Sequence, residues 1–222
     1  MLFRSVIAET YYEEIYSEDG GIVLWEATYE RPIFSGEFSD VLNAVYDAEE
    51  KEFKIQQIKN AEIMNTDYEE GYLNPDYPAG SGEAFVSNVY IKKPIISVVR
   101  LEYLYMGGAH GSSYYLIDNF DMNSGAGLGI ENFLKFNPHT EIMELYYQQN
   151  PNPFDDEWTD DDKAEAAEIL TLNYAEAYLA EDGVHILWND QYMFYYAYGI
   201  PEVIVPYDRW DILASLVTDA VK

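Results

Sequence analysis

Segments rich in β-branched and aromatic residues dominate this chain, and they occur in clusters with few helical stretches between them. Such segments predict β-strands. Because strands that follow one another directly can pair through short turns, this clustering favours antiparallel sheets over the alternating strand–helix order of a parallel sheet. The predicted strands are residues 3–15, 22–29, 85–91, 95–106, 112–120, 184–189, 192–198 and 203–205.

Helical spacing of apolar residues interrupts the strands at a few places. Phe38, Val41, Leu42, Val45 and Tyr46 are spaced to share one face of a helix, which charged residues continue into solvent to about residue 54. Residues 65–83, rich in Gly, Pro, Asp and Tyr, predict a long loop. Further helices are predicted at residues 130–136, 141–149, 159–180 and 208–217, the third capped by Thr159 and three aspartates. The predicted fold class is α+β, with antiparallel sheets and packed helices.

The net charge of −29, from 41 acidic and 12 basic residues, restricts the partners that the protein can have. It repels nucleic-acid phosphates and anionic membrane surfaces, so neither nucleic acid nor membrane contact is expected. It attracts cations, which include basic proteins, basic peptides and divalent metals. The alternative is that the charge only keeps an aromatic-rich protein in solution, and composition leaves both open.

The chain contains no cysteine, which excludes disulfides, thiolate metal sites and a cysteine nucleophile. No apolar run approaches the about 20 residues that cross a bilayer. Residues 1–4 lack the basic and then apolar pattern of a signal peptide. If the protein is exported, we expect that its signal or anchor lies outside this sequence.

Catalytic signatures are absent from the sequence. The three histidines, His110, His139 and His185, lack the spacing of a metalloprotease, and no nucleophile elbow, P-loop or dinucleotide-binding motif occurs. The acidic runs at residues 155–157 and 160–162 lack the alternating ligands and central glycine of a calcium loop. We therefore expect a protein that is not an enzyme and that uses no metal and no cofactor.

Residues 105–111 form the sharpest local motif, with three glycines within five residues. Glycine permits positive φ angles and close approach of the backbone. One interpretation places His110 in a ligand site among exposed backbone N–H groups. The other has His110 hydrogen-bonded to neighbouring backbone, where it holds a wide turn. The sequence shows no second titratable partner for this histidine.

Five aromatic residues lie within residues 192–198. Because successive side chains of a strand alternate between the two faces of a sheet, these rings cannot all face one side. Some of the rings therefore meet solvent, a loop or a partner. Tyrosine is enriched in binding surfaces, since it supplies contact area at a low cost in side-chain entropy. The alternative is a sheet that is covered on both faces.

Five short motifs, in this order along the chain, resemble those of one protein family. A tyrosine-rich segment leads into Gly-Gly-Ala-His-Gly, an Asn-Phe-Asp turn follows, and two tyrosine- and proline-containing motifs lie near the C-terminal end. The motifs occupy residues 103–111, 119–125, 128–133, 195–202 and 204–207. The family is that of the paired extracellular domains of RsiV-type anti-sigma factors. These domains also occur beside the catalytic domain of PdaC-type peptidoglycan deacetylases.

The resemblance implies an exported or membrane-anchored protein of the bacterial cell envelope. In RsiV-like members this region is a receptor that grips the cationic enzyme lysozyme and covers its active cleft. In PdaC-like members it accompanies a deacetylase whose catalytic motifs are missing here. The resemblance divides the chain into an N-terminal domain, residues 1–111, and a C-terminal domain, residues 112–222. The strands beside the glycine-rich segment belong naturally to one hairpin, so we expect two halves that share a continuous interface.

Two functional hypotheses follow. The first is an extracytoplasmic binding module of the cell envelope that recognises a basic protein such as lysozyme. Its candidate contact residues are Tyr195, Tyr196, Tyr198, Gly107, Gly108 and His110. The second is a glycan-binding accessory module whose exposed tyrosines stack on cell-wall sugars. Lysozyme capture should weaken with ionic strength because opposite charges drive it, whereas stacking on sugars should not.

Overall fold

The structure is a computed structural model that describes residues 5–36, 38–73, 79–135, 138–151, 159–189 and 199–221. Its elements confirm the α+β class: one six-stranded mixed sheet, one three-stranded antiparallel sheet and several helices. The strands of the six-stranded sheet follow the order of the sequence: β1 Ser5–Tyr16, β2 Val23–Ser35, β3 Gly80–Lys92, β4 Ile95–Tyr105, β5 Ser112–Asp121 and β6 Gly127–Leu128.

The first part of this sheet departs from the predicted antiparallel arrangement. Strands β1 and β2 pair antiparallel, but β2 and β3 pair parallel, with Trp25 opposite Gly80 and Tyr29 opposite Ala84. The parallel pair exists because helix α1, Ser39–Glu69, carries the chain back between the two strands. The expectation of a helix that ends near residue 54 was wrong, and the loop expected over residues 65–83 was wrong at its two ends, because residues 65–69 belong to α1 and residues 80–83 belong to β3. The buried face of α1 continues through Gln57, Asn60, Ala61 and Met64.

Polar as well as apolar contacts hold α1 against its sheet. The buried Trp25 donates a hydrogen bond from its indole nitrogen to Oε1 of Gln57, at 2.8 Å. Arg100, which is 2% exposed, pairs with Glu49 at 2.7 Å and lies over the ring of Tyr46. A buried charge costs free energy unless it is paired, so these contacts fix the position of the helix along the strands.

The three-stranded sheet contains β7 Ala175–Leu179, β8 Gly183–Trp188 and β9 Glu202–Pro206, in that order. The helices of this part are α2 Ile130–Phe133, α3 His139–Gln149, α4 Asp160–Ile169 and α5 Ser215–Ala220. Two predicted helices were placed wrongly. The predicted helix at 159–180 ends at Ile169, because residues 175–179 bury every second side chain and form a strand. The last helix begins at Ser215 and not near residue 208.

The chain forms two compact units, one of residues 1–88 with 100–116 and the other of residues 89–99 with 117–222. Each unit has its own apolar core. That of the first includes Leu24, Trp25 and Met64, and that of the second includes Phe133, Ile142 and Trp188. The sequence-based division at residues 111 and 112, and the continuous interface between the halves, stay predictions. In the described parts of the chain, no helix has both the length and the apolar character to cross a membrane.

Candidate binding surface

Strand β1 presents two exposed tyrosines and a glutamate on one face. Tyr12, Glu14 and Tyr16 are two residues apart, and this period places their side chains on the same side of the strand. Tyr12 is 56% exposed and Tyr16 is 51% exposed. Glu26 of β2, which pairs with Glu14, joins them on this face. We call these four residues the Tyr–Glu patch.

Hydrogen bonds connect the members of the Tyr–Glu patch. The Tyr12 hydroxyl donates to Oε1 of Glu14 at 2.8 Å and lies 3.3 Å from Oε1 of Glu26. The Tyr16 hydroxyl donates to the other oxygen of Glu14 at 2.5 Å. The bonds from Tyr16 and Tyr12 hold the pKa of Glu14 below its ordinary value. The bond to Glu14 is the largest cause that raises the pKa of Tyr12 to about 12. Around neutral pH the patch therefore presents a carboxylate between two neutral phenols.

The opposite face of β1 packs towards the helix. Tyr11 and Ile15 lie against the core of the first unit, and the ammonium of Lys54 lies 3.8 Å from the centre of the Tyr11 ring. Arg31 pairs with Glu9, Asp47 and Glu50. These cations are bound to partners within the unit. Because residues 5–16 themselves include neither lysine nor arginine, β1 brings no positive charge to the Tyr–Glu patch.

The glycine loop, residues 106–111, turns the chain from β4 to β5. Gly107 and Gly108 have φ angles of 85° and 94°, which side chains other than glycine rarely adopt. The Tyr105 hydroxyl donates to the carbonyl of Gly108 at 3.0 Å. His110 is exposed, and its Nδ1 lies 3.2 Å from the carbonyl oxygen of Gly111. The loop thus combines a fixed backbone with an accessible imidazole.

The strand register brings the glycine loop and the Tyr–Glu patch to the same end of the sheet. Ile15 pairs with Trp25, and Trp25 pairs with Gly80. A Cβ atom on Gly80 would lie 2.7 Å from the carbonyl oxygen of Tyr105, so the end of β4 lies beside the start of β3. Three strand spacings separate Ile15 from Tyr105, about 14 Å. The loop and the patch are therefore close enough for one protein partner to contact both.

A polar cluster in the second unit surrounds His185. Its Nδ1 lies 2.9 Å from Oε1 of Glu202, and its Nε2 lies 2.8 Å from Oδ1 of Asp182. Tyr178 stacks on the imidazole at 4.8 Å between ring centres. Burial acts to lower the pKa of His185, but the bonds to Glu202 and Asp182 outweigh it and raise that pKa. Both ring nitrogens are engaged, so this histidine has no free nitrogen with which to act as a general base.

The sequence-based candidates divide into two groups. Gly107, Gly108 and His110 lie together in the glycine loop, whereas Tyr195, Tyr196 and Tyr198 lie outside the described residues. Within the described part of the chain, no group of three or more His, Asp or Glu side chains is arranged to hold a metal ion.

Comparison with known proteins gives a fold. A member of the DUF3298 family from Bacteroides fragilis superposes with a TM-score of 0.68 at 15% identity, over 97% of this chain and 96% of that one. A DUF3298 family protein from Pseudomonas aeruginosa gives a TM-score of 0.58 at 16% identity, over 96% of this chain and 97% of that one. The chain has the fold of these DUF3298 proteins. No family model and no curated protein matches the sequence.

The order of strands in this fold explains why the sequence alone did not identify the Tyr–Glu patch. The alternation Tyr12, Glu14, Tyr16 was visible within a predicted strand, and it was enough to place the three side chains on one face. Exposure of that face depends on β1 being the first strand of its sheet, with β2 as its only neighbour among the described strands. Strand order comes from long-range pairing, which the spacing of residues in one segment does not contain.

Proposed function

We propose that this chain is an extracytoplasmic binding module of the bacterial cell envelope that recognises a basic protein and catalyses no reaction. A lysozyme-like protein is the leading partner. The observation that carries the proposal is the Tyr–Glu patch, where two exposed phenols flank a carboxylate on a strand without lysine or arginine. The RsiV-type resemblance of the sequence supports the location and the partner, and the DUF3298 fold agrees with a domain of this kind.

The chemistry of the patch suits lysine and arginine side chains. The carboxylate of Glu14 is anionic at neutral pH and accepts charge-assisted hydrogen bonds from a guanidinium or an ammonium. The rings of Tyr12 and Tyr16 offer faces on which the same cations can lie. Tyrosine also supplies apolar contact area beside these charges. A cationic surface of a partner would thus find both kinds of interaction within one strand.

The whole charge of the chain supports the same partner. A net charge of −29 attracts a basic protein over a distance of about one Debye length and raises the rate of encounter. The exposed His110 and the glycine loop, at the same end of the sheet, give a second point of contact. In this proposal the net charge accelerates association with the partner, and a few aromatic and carboxylate groups make the contacts that stabilise the complex.

A glycan-binding module is the second candidate, and exposed rings in the second unit favour it. Trp210 is 63% exposed and Tyr174 is 69% exposed. Such rings present a flat apolar surface with a polar group at one edge, which suits a sugar. Binding of this kind depends little on ionic strength. Its test is therefore an affinity for cell-wall glycan that is unchanged by salt and is lost in Trp210→Ala.

The basic-protein proposal is tested by isothermal titration calorimetry with hen-type lysozyme at physiological salt. Glu14→Gln removes one charge from the patch, and Glu18→Gln removes one charge from the neighbouring turn. Both variants change the net charge equally, from −29 to −28. We expect Glu14→Gln to weaken binding by about 2 kcal/mol because it removes a contact, and Glu18→Gln to have little effect. Equal effects would mean that only net charge matters and would overturn the role of the patch.

The contribution of the tyrosines of the Tyr–Glu patch to lysozyme binding is tested with a variant of the patch and a control variant outside it. Tyr12→Ala should weaken lysozyme binding by about 2 kcal/mol, since it removes a ring and a hydrogen-bond donor to Glu14. Tyr174→Ala removes an even more exposed tyrosine, from a loop of the second unit, and should leave the affinity unchanged. If Tyr174→Ala lost affinity for lysozyme and Tyr12→Ala did not, the binding site would lie in the second unit and not at the Tyr–Glu patch.

A further inference from the structure

Helix α1 carries a second apolar face that its own sheet does not cover. Val41, Ile55, Ile58 and Ile63 are 50%, 46%, 52% and 51% exposed. Val41, Ile55 and Ile58 lie on the side of the helix away from Leu42, Tyr46 and the other buried residues, and Ile63 lies at the edge of that side. Val41 was predicted to share the buried face with Leu42 and Tyr46, and that part of the prediction was wrong. Three of them, Val41, Ile55 and Ile58, share one helix face and indicate an interaction surface, whereas Ile63 lies to one side of it.

The outward face has the spacing of a coiled-coil seam. Residues that are alternately three and four apart form one stripe along a helix. On α1 the stripe consists of Val41, Ala44, Ala48, Lys51, Ile55, Ile58, Glu62 and Asn65, and the exposed Glu69 continues the same spacing at the C-terminal end. All of them except the half-buried Asn65 are exposed. The stripe is apolar at its centre and carries one lysine and one glutamate at nearly equal distances from that centre.

The stripe is complementary to itself in the antiparallel direction. Two copies of α1 related by a two-fold axis midway between Ile55 and Ile58 place each of these isoleucines opposite the other in the second copy. The same register places Lys51 opposite Glu62 of the second copy. Beside the stripe it places Lys59 near Glu52 of the second copy. All four charged residues are exposed in the described chain.

Lys51 and Glu62 cannot pair with each other within one chain. Lys51 and Glu62 are 11 residues apart on one helix, about 16 Å along its axis, so their side chains do not reach each other. Between Lys51 and Glu62 the outward face holds two lysines against two glutamates and is locally neutral, in a chain whose net charge is −29. A basic partner is therefore drawn to other surfaces, whereas a second copy of this chain matches this one.

From this self-complementarity we infer that the protein forms a two-fold symmetric dimer through the outward face of α1. The interface is isologous, with the same residues contributed by both copies. Four isoleucines at the centre lose contact with water, and that burial provides the stability. Exposed ion pairs add little affinity but select the antiparallel register. The inference does not depend on the proposed function.

Sedimentation velocity of the full chain over a range of concentrations tests the dimer. The chain should sediment as a concentration-dependent dimer, and Ile55→Glu should make it monomeric because it places two buried charges beside the two-fold axis. Ile91→Glu is the matched control, since Ile91 is 43% exposed and belongs to the second unit, and it should leave the dimer unchanged. A chain that is monomeric throughout, or a dimer that survives Ile55→Glu, would overturn the inference.

A charge exchange tests the register. Lys51→Glu places like charges opposite each other at two symmetric points and should weaken dimerisation about tenfold. Adding Glu62→Lys in the same chain restores opposite charges only if the two residues meet across the two-fold axis. The double variant should therefore regain the dimerisation constant of the original chain. A double variant as weak as Lys51→Glu would exclude this register.

Discussion

At the scale of single residues, Glu176 of β7 couples the stability of the second unit to pH. Burial, followed by the negative charge of Asp118, raises the pKa of Glu176 to about 7, although a hydrogen bond from Asn189 acts in the opposite direction. In an unfolded chain the same carboxyl would titrate near 4.5. Between these two values the native state binds more protons than the unfolded state, so stability falls as pH rises.

This linkage predicts the effect of Glu176→Gln. The variant should unfold with a weaker dependence on pH and should be more stable than the original chain at about pH 8, by about 1–2 kcal/mol after allowance for partial exposure. At about pH 4 the two should differ little, because both side chains are then neutral. Urea denaturation at several pH values measures this, with the exposed Glu144→Gln as control. If the stability of the original chain and that of Glu176→Gln depended on pH in the same way, the pKa of this carboxyl would not be raised in the folded protein.

Residue patterns predicted the faces of strands better than the faces of the helix. The period of two in β1 was readable from Tyr12, Glu14 and Tyr16. On α1, Val41 and Leu42 are both apolar, and spacing alone could not show that only Leu42 is buried. An apolar face for the sheet and an apolar face for another partner look alike in a helical sequence. His185 lacks metal-ligand spacing in the sequence, and its partners Asp182 and Glu202 meet it only through a turn and a strand pair.

At the scale of elements, the parallel pairing of β2 and β3 depends on a residue without a side chain. A Cβ atom on Gly80 would overlap the ring of Trp25 and would lie 2.7 Å from the carbonyl oxygen of Tyr105. The ring belongs to a fully buried residue, and the carbonyl belongs to a strand, so neither has room to move. Gly80 thus allows β3 to begin between β2 and β4.

Gly80→Ala should therefore destabilise the protein by about 2 kcal/mol, since overpacking of a buried site shifts both the ring and the backbone. Gly127→Ala is the matched control, because a Cβ atom there meets nothing within 4 Å. It should change stability by less than about 0.5 kcal/mol. Chemical denaturation measures both. A Gly80→Ala variant as stable as Gly127→Ala would show that the start of β3 adapts without cost.

Local composition predicted most of the described strands, but it did not predict how they pair. Strands β1, β4 and β5 were expected nearly where they lie, because β-branched and aromatic residues define them. The parallel pair of β2 and β3 was not, because the predicted helix stopped before residues 55–69. The strand β7 was hidden in a predicted helix, since Ala175 and Ala177 favour a helix until their burial in a sheet is known.

At the scale of the whole molecule, the fold determines where the proposed binding surface lies, and the net charge suggests which kind of partner it binds. The fold, shared with DUF3298 proteins, orders β1 to β4 so that the Tyr–Glu patch and the glycine loop lie at one end of a sheet. A fold does not by itself define a ligand. The net charge could be read from the sequence and suggested a basic partner at once. The patch that could hold this partner required the strand register.

The binding kinetics of immobilised hen-type lysozyme, measured from low to physiological salt, test the proposed recognition most directly. The association rate should fall as salt is added, because the attraction of a chain with a net charge of −29 is screened. The dissociation rate should change little with salt and should rise in Tyr12→Ala, so that a complex persists at physiological salt. A complex that forms only at low salt, or one whose dissociation rate is unaffected by Tyr12→Ala and by Glu14→Gln, would contradict specific recognition through the patch.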